Sequence, residues 1–157
     1  MKLSTKGRYA VTAMLDLALH SDGQPVSLSE ISQRQDISLS YLEQLFSKLR
    51  KSTLVESLRG PGGGYKLSRD PADVSISDII MAVDENVDVT RCGGSSNCDS
   101  GHKRCLTHDL WTDLSQQIQG FLSDISLADM KERGDVLAIS TLQDKKINQQ
   151  VVFQEHH

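Results

Sequence analysis

Ser38-Leu39-Ser40-Tyr41-Leu42-Glu43-Gln44-Leu45-Phe46-Ser47-Lys48-Leu49-Arg50-Lys51 is the stretch on which the fold turns. Leu42, Leu45, Phe46 and Leu49 recur at i, i+3, i+4 and i+7, the spacing of one helix face turned toward a core. Ser40, Glu43, Gln44, Ser47, Lys48 and Lys51 fall on the other side. Ser38 or Ser40 is placed to cap this helix, and Glu43 stands three residues after Ser40, as a capping box requires. On an isolated amphipathic helix such a polar face is most often simply solvated. The flanking sequence argues for more.

Upstream, Ser27-Leu28-Ser29-Glu30 has the capping-box pattern and opens a short helix to about Gln35, anchored by Leu28 and Ile31. A three- or four-residue turn then leads into the Leu42 helix. Before both, the stretch from Tyr9 to His20 is apolar nearly all round and rich in helix formers. It predicts a buried helix ended by Ser21-Asp22-Gly23. Two short helices joined by a tight turn, behind a buried helix, make a helix-turn-helix whose second member enters the major groove of DNA.

Downstream, Leu54 to Arg59 reads as a strand, Gly60-Pro61-Gly62-Gly63-Gly64 as a turn, and Tyr65 to Ser68 as a second strand. A hairpin directly after a recognition helix is a wing. Its glycines let backbone amides approach phosphate closely, and Arg59 and Lys66 flank its tip. A nucleotide-binding P-loop is the rival reading, and it fails. That pattern needs Gly where Tyr65 precedes Lys66, and Ser or Thr where Leu67 follows. The candidate DNA contacts are therefore Ser40, Tyr41, Glu43, Gln44, Ser47, Lys48 and Lys51 on the helix, with Arg59, Gly60, Gly62, Gly63 and Lys66 in the wing. Glu43 is the candidate for selectivity, because a carboxylate can accept from cytosine N4 yet repels phosphates and mismatches other base patterns.

The charge distribution agrees with a divided chain. Residues 1–75 hold ten Lys and Arg against eight Asp and Glu, whereas residues 76–157 hold seven against thirteen. Only the first half is suited to a polyanion. With 38% hydrophobic and 24% charged residues in a chain of 157, one ordinary domain with an extension is expected. No apolar run approaches a membrane span, since Asp16, Asp78 and Asp84 interrupt the longest ones, and no membrane partner is expected. The N-terminus lacks a signal-peptide core, so a reducing, cytoplasmic setting is expected.

Cys92, Cys98 and Cys105 are the only cysteines, and His108 follows the last of them by three residues. They lie in a Gly-, Ser-, Asn- and Asp-containing stretch that forms no packed element by itself. Thiols gathered this way in a reducing compartment point to a metal site, and thiolates plus an imidazole suit zinc or an iron–sulfur cluster. Zinc sites usually bring closely spaced cysteine pairs, whereas the gaps here are five and six residues. His108 is favoured as the fourth ligand over His102. It opens the next helix, where Thr107 can cap and the positive helix end favours an anionic cluster.

Ile76, Ile79, Ile80 and Val83 give one face to a helix from Ser75 to Asp84. A long helix from about His108 to Ser126 carries Leu110, Trp111, Leu114, Ile118, Phe121, Leu122 and Ile125 inward, more large apolar residues than a terminal helix usually buries alone. It reads as a dimerisation helix. Beyond about Val136 the chain turns polar and is expected to fray, and His156 and His157 are not expected to be ligands. The expected fold is mostly α with a small β-hairpin wing. Residues 1–84 form a winged helix-turn-helix domain, 85–107 a cysteine-rich loop, 108–134 a dimerisation helix region and 135–157 a polar, disordered tail. An enzyme with a reactive thiol is disfavoured, because no organised base and orienter accompany the cysteines.

Four segments carry a family resemblance: Lys6-Gly7-Arg8-Tyr9-Ala10-Val11, Ile37 to Phe46, Arg59-Gly60-Pro61-Gly62-Gly63-Gly64-Tyr65, and Cys105-Leu106-Thr107-His108. Through them the chain resembles the IscR family of iron–sulfur cluster regulators over nearly all of residues 1–130. The resemblance implies a homodimeric transcription factor on a roughly palindromic double-stranded operator, with a [2Fe–2S] cluster received from the cluster-assembly machinery. It implies ligands Cys92, Cys98, Cys105 and His108, and base-reading by Ser40, Glu43, Gln44 and Arg59. Repression of cluster-assembly genes when loaded, and a changed site preference when cluster-free, are implied as well. One departure is the six-residue gap between Cys98 and Cys105, where the family pattern has five. Related readings are a sensor of nitric oxide or iron holding a larger cluster, or a zinc-bound winged-helix regulator.

Overall fold

The computed structural model of the protein describes residues 5–83 and 106–155. The expected cysteine loop, with Cys92, Cys98, Cys105 and His102, lies outside the described residues, as do His156 and His157.

The N-terminal helix α1 runs Thr5–His20. Ala10, Ala13, Met14, Leu17 and Ala18 repeat at helical spacing and are fully or almost fully buried, so α1 is the post around which the domain packs. Helix α2 is Leu28–Gln35, opened by Ser27 and Glu30 in a complete capping box. Asp36 ends α2 in the left-handed conformation, with φ 55°, and the chain turns into α3, Leu39–Lys51. The cap of α3 is Ser38, whose hydroxyl accepts from the Tyr41 amide at 3.2 Å. The expected box between Ser40 and Glu43 does not form, because Ser40 already lies inside the helix. Leu42, Leu45, Phe46 and Leu49 are buried as the periodicity requires.

Strands β1, Val55–Leu58, and β2, Gly64–Leu67, pair antiparallel, with Val55 opposite Leu67 and Leu58 opposite Gly64. Between them Gly63 N–H donates to the Gly60 carbonyl at 2.9 Å, with Pro61 and Gly62 at the centre. Gly62 has φ 74°, the left-handed value that the third position of a type II turn demands. The hairpin does not stand alone. Val26 and Tyr65 exchange two backbone hydrogen bonds, each 2.8 Å, which join β2 to the residues just before α2. Gly64 permits this approach: a Cβ there would meet the Val26 carbonyl oxygen, with the Val26 carbonyl carbon at 2.6 Å. The Tyr65 ring also stands edge-on to Phe46 of α3, with centroids 4.9 Å apart.

After a 3-10 turn at Pro71–Asp73, α4 spans Ile76–Ala82 behind a second capping box, Ser75 with Asp78. Helix α5 is His108–Asp124 and packs on α4. Helix α6, Leu127–Lys131, packs on α1, and its entry is held to the winged domain by Ile76 N–H to Ile125 O and Leu127 N–H to Val74 O, both 2.9 Å. The residues expected to be a disordered tail instead form α7, Gly134–Glu155, seated against α2 and α6. Gln143 and Asp144 of this helix meet polar partners on α2 and α1.

One polar cluster interrupts the apolar core. The Asp16 carboxylate, with no exposed side-chain surface, accepts two hydrogen bonds from Arg34, at 2.8 and 2.9 Å, and one from Gln35 Nε2 at 2.8 Å. Burial would raise its pKa. The hydrogen bonds from His20, Arg34 and Gln35 and the charge of Arg34 outweigh burial and hold it at about 2.

Candidate functional site

Ser40, Glu43, Gln44, Ser47 and Lys51 are all exposed on α3, opposite its buried stripe. Tyr41 is half-buried, packed edge-on against Tyr9 of α1 with ring centroids 5.8 Å apart. Lys48 is half-buried and has an interaction of its own. The helix thus offers hydroxyl, amide, carboxylate and ammonium groups outward from one rigid element, as base and phosphate contacts require.

At the wing, Arg59 and Gly60 are exposed at the tip, with Gly62 and Gly63 beside them in the turn. Lys66 sits farther back than the sequence suggested. It lies within β2 directly opposite Glu56, and the two side chains pair at 3.0 Å on the exposed face. Sequence reasoning missed Arg50, which reaches from α3 to the wing, where its Nη1 lies 3.3 Å from the Ser57 hydroxyl. Its place in the last turn of α3, five residues before β1, was the available signal.

The fourth candidate ligand, His108, is described. It is the first residue of α5 and is 6% exposed, in contrast to the solvated side chain usual at a helix start. Thr107 does not cap α5 as expected. Its hydroxyl instead accepts from the Trp111 indole N–H at 2.8 Å.

The apolar residues of α5 do not all point inward. Leu122, and Ile125 just past the end of the helix, pack on the core, and Ile118 is half-buried. Leu110, Leu114 and Phe121, at i, i+4 and i+11, form a second stripe that is exposed in the single chain, with Leu110 58% and Phe121 65% accessible. Trp111 falls on the side of Ile118 and Leu122 yet is also partly exposed, at 38%. Among the described residues no helix is long and apolar enough to cross a membrane.

A polar-faced helix after a tight three-residue turn, braced by a buried first helix and tied to a glycine-tipped hairpin, defines a winged helix-turn-helix regulator that binds DNA. Residues 3–133 match Rrf2, the iron-dependent transcriptional regulators, and the chain belongs to that family. It is 63% identical over 146 residues to an HTH-type transcriptional regulator of Azotobacter vinelandii, covering 93% of this chain and 88% of that one. It is 60% identical over 144 residues to the HTH-type transcriptional regulator IscR of Vibrio atlanticus, covering 92% and 83%. Among solved structures it is similar to T. potens IscR, with 42% identity, a TM-score of 0.67 and coverage of 83% and 85%. It is also similar to CymR, the global cysteine regulator of B. subtilis, with 33% identity, a TM-score of 0.71 and coverage of 83% and 96%. These relatives regulate transcription, and the resemblance to the IscR regulators stands. The chain is a transcriptional regulator and not an enzyme.

Proposed function

We propose that the protein is a homodimeric transcription regulator that senses iron–sulfur cluster status through a [2Fe–2S] cluster and controls cluster-assembly genes. The observation that carries this reading is the 60% identity to an IscR, in a chain whose only cysteines stand with His108 in one short stretch. Cys92, Cys98, Cys105 and His108 would hold the group, which supplies an anionic, redox-active centre when bound. The donor set fits in its chemistry, with three soft thiolates and one imidazole, and in the place of His108, buried at the start of α5. An imidazole in place of a fourth thiolate makes a more readily lost cluster, which suits a sensor of supply. The cluster-assembly machinery would be the donor, in a reducing compartment that keeps the thiols free. Because CymR shares the scaffold under the name of a cysteine regulator, the winged fold by itself does not name the signal.

Anaerobically purified protein should be coloured. Its visible absorption should vanish in Cys92→Ser, Cys98→Ser and Cys105→Ser, shift or weaken in His108→Ala, and persist in His102→Ala. A colourless, zinc-loaded protein would sink the reading. Gel shifts against duplexes from a random pool, with and without cluster, then test whether the loaded form prefers different sites.

On the DNA side, Ser40, Tyr41, Glu43, Gln44 and Ser47 face base edges, with Lys48 and Lys51 toward phosphate. In the wing, Arg59 reaches the adjacent groove, the turn amides of Gly60, Gly62 and Gly63 approach the backbone, and Lys66 adds charge. Glu43→Ala should relax discrimination at its base pair by about 1–3 kcal/mol. Lys51→Ala, chosen because Lys48 is already engaged, should weaken every sequence alike and reduce the salt slope by about one. Binding measured across a panel of sites and salt concentrations separates the two. Equal losses on every sequence for both variants would count against Glu43 as the selective group.

The second stripe of α5, Leu110, Leu114 and Phe121, supports a partner surface, since an exposed row of large apolar side chains on a rigid helix is what a two-fold interface covers. A second copy would place two recognition helices on a roughly palindromic operator, with half-sites about one helical turn apart.

A further inference from the structure

His20, the last residue of α1, is held between two acidic residues on different helices. Its Nδ1 lies 2.8 Å from the Asp16 carbonyl oxygen and 3.5 Å from the Asp16 carboxylate, and its Nε2 lies 2.9 Å from Asp144 Oδ1 on α7. These oxygens only accept hydrogen bonds. Both ring nitrogens must therefore donate, which only the imidazolium can do. With His20 charged, Asp16, Arg34, His20 and Asp144 sum to zero, and Glu30 adds its field through Arg34. Beside this pair, Gln35 Nε2 donates to Gln143 at 2.9 Å while Gln143 Nε2 donates back at 3.2 Å.

The position of this lock is what matters. Gln35 is the last residue of α2, and Asp36 immediately after it makes the left-handed turn into α3. Beneath α7 a cleft lined by Val11, Leu15, Leu19 and Met130 remains between it and α1. Val136 and Ile139 of α7 border this cleft without filling it, and Leu137 and Leu142 are exposed. The helix is seated by a few polar contacts rather than by a filled apolar interface, which is the character of an element that opens locally. It also lies beyond residues 3–133, the span shared with the family description.

We propose that α7 is a detachable strap, docked on α1 and α2 through the His20–Asp144 and Gln35–Gln143 contacts, and that its seating steadies the turn that aims α3 at DNA. Docking then depends on the charge of His20. The hydrogen bond to the Asp16 carboxylate raises His20 to about 9 against the opposing effect of burial, and the Asp16 carbonyl and Asp144 add to it. A raised pKa contributes fully below about 6.5 and is lost as pH rises through about 9. Undocking α7 removes only the share of Asp144, because Asp16 stays beside His20 on α1. Asp144 is also nearly half exposed, so docking should weaken by a modest factor, roughly two- to fivefold, between about pH 7 and about pH 10.

Amide hydrogen exchange of α7, corrected for intrinsic rates, reads the docking directly. Asp144→Asn and Gln143→Ala should each speed it by roughly two- to fivefold at neutral pH, and Asp144→Asn should abolish its rise with pH. Both variants should also bind more weakly to a duplex recovered from a random pool by the unmodified chain, while the amides of α4 keep their protection. Unchanged α7 exchange in Asp144→Asn would overturn the proposal, and so would faster exchange with unaltered DNA affinity. The exchange measurement needs neither DNA nor cluster, so its failure is distinct from failure of the proposed sensing role.

Discussion

Arg34→Ala should unfold the protein roughly 10 °C earlier in a thermal melt at neutral pH, a cost of about 3–5 kcal/mol. The Asp16 carboxylate has no exposed side-chain surface, and Arg34 supplies two of its hydrogen bonds together with its nearest full positive charge. Removing the guanidinium leaves the buried carboxylate with only His20 and Gln35 beside it, too little to offset its desolvation. The pH profile carries a second signature. Asp16 is held below its ordinary value, at about 2, so its contribution is fully present above the free carboxylate value of 3.8 and is lost as pH falls toward about 2. Without Arg34 the acid limb should move to higher pH. Replacing Asp16 and Arg34 together by apolar residues of similar volume should recover most of the loss, since it leaves no charge unpaired. A melt for Arg34→Ala within 1 °C or so of the unmodified protein would mean that water reaches Asp16, contrary to its burial.

Gly64→Ala should cost about 3 kcal/mol and abolish tight DNA binding even at temperatures where the protein remains folded. The reason is room, not backbone freedom. A methyl group at Gly64 would run into the Val26 carbonyl, whose carbon would lie 2.6 Å away, and into the Ser27 amide nitrogen at 2.9 Å. Both neighbours are backbone, and Ser27 is also the cap of α2, so neither can swing aside as a side chain would. Relief requires breaking the Val26–Tyr65 pair and tilting the hairpin. A double measurement checks this: the melt should fall, and DNA affinity should fall further than at an exposed wing position such as Arg59→Ala. Normal affinity in a stably folded Gly64→Ala protein would show that the wing is free to lean away.

The recognition helix and the wing were legible because each rests on short-range chemistry. The Leu42-Leu45-Phe46-Leu49 stripe forces one face of α3 inward, and Pro61-Gly62 dictates a turn that few other dipeptides make. The same local rules misfire where two solutions compete. Ser40 and Glu43 match a capping box as well as Ser27 and Glu30 do, but Ser38 caps first and leaves Ser40 within the helix. Helix α5 shows a different limit. Its seven large apolar residues were read as one inward face, whereas the register divides them into a packed stripe and an exposed one. Helix α7 was misread as a tail because its partners are remote, with Asp144 and His20 separated by 124 residues and Gln143 and Gln35 by 108. Asp16, the one acidic residue of α1 and set among Ala13, Met14, Leu15, Leu17 and Ala18, was a local hint that such a network existed. The candidate ligands were legible as residue types, and of the four only His108 falls among the described residues, buried where a solvated side chain is more usual.

The two hydrogen bonds between Val26 and Tyr65, with the ring of Tyr65 against Phe46, have a mechanical meaning. They make hairpin and recognition helix a single stiff caliper with a preset gap between its jaws. A stiff caliper adjusts little to each duplex it meets, so a mismatch between that gap and the local groove would be taken up as elastic strain in the DNA. The cost of that strain depends on base steps the protein never touches. Part of the sequence preference of this regulator should then follow the stiffness of the operator at steps that no side chain touches.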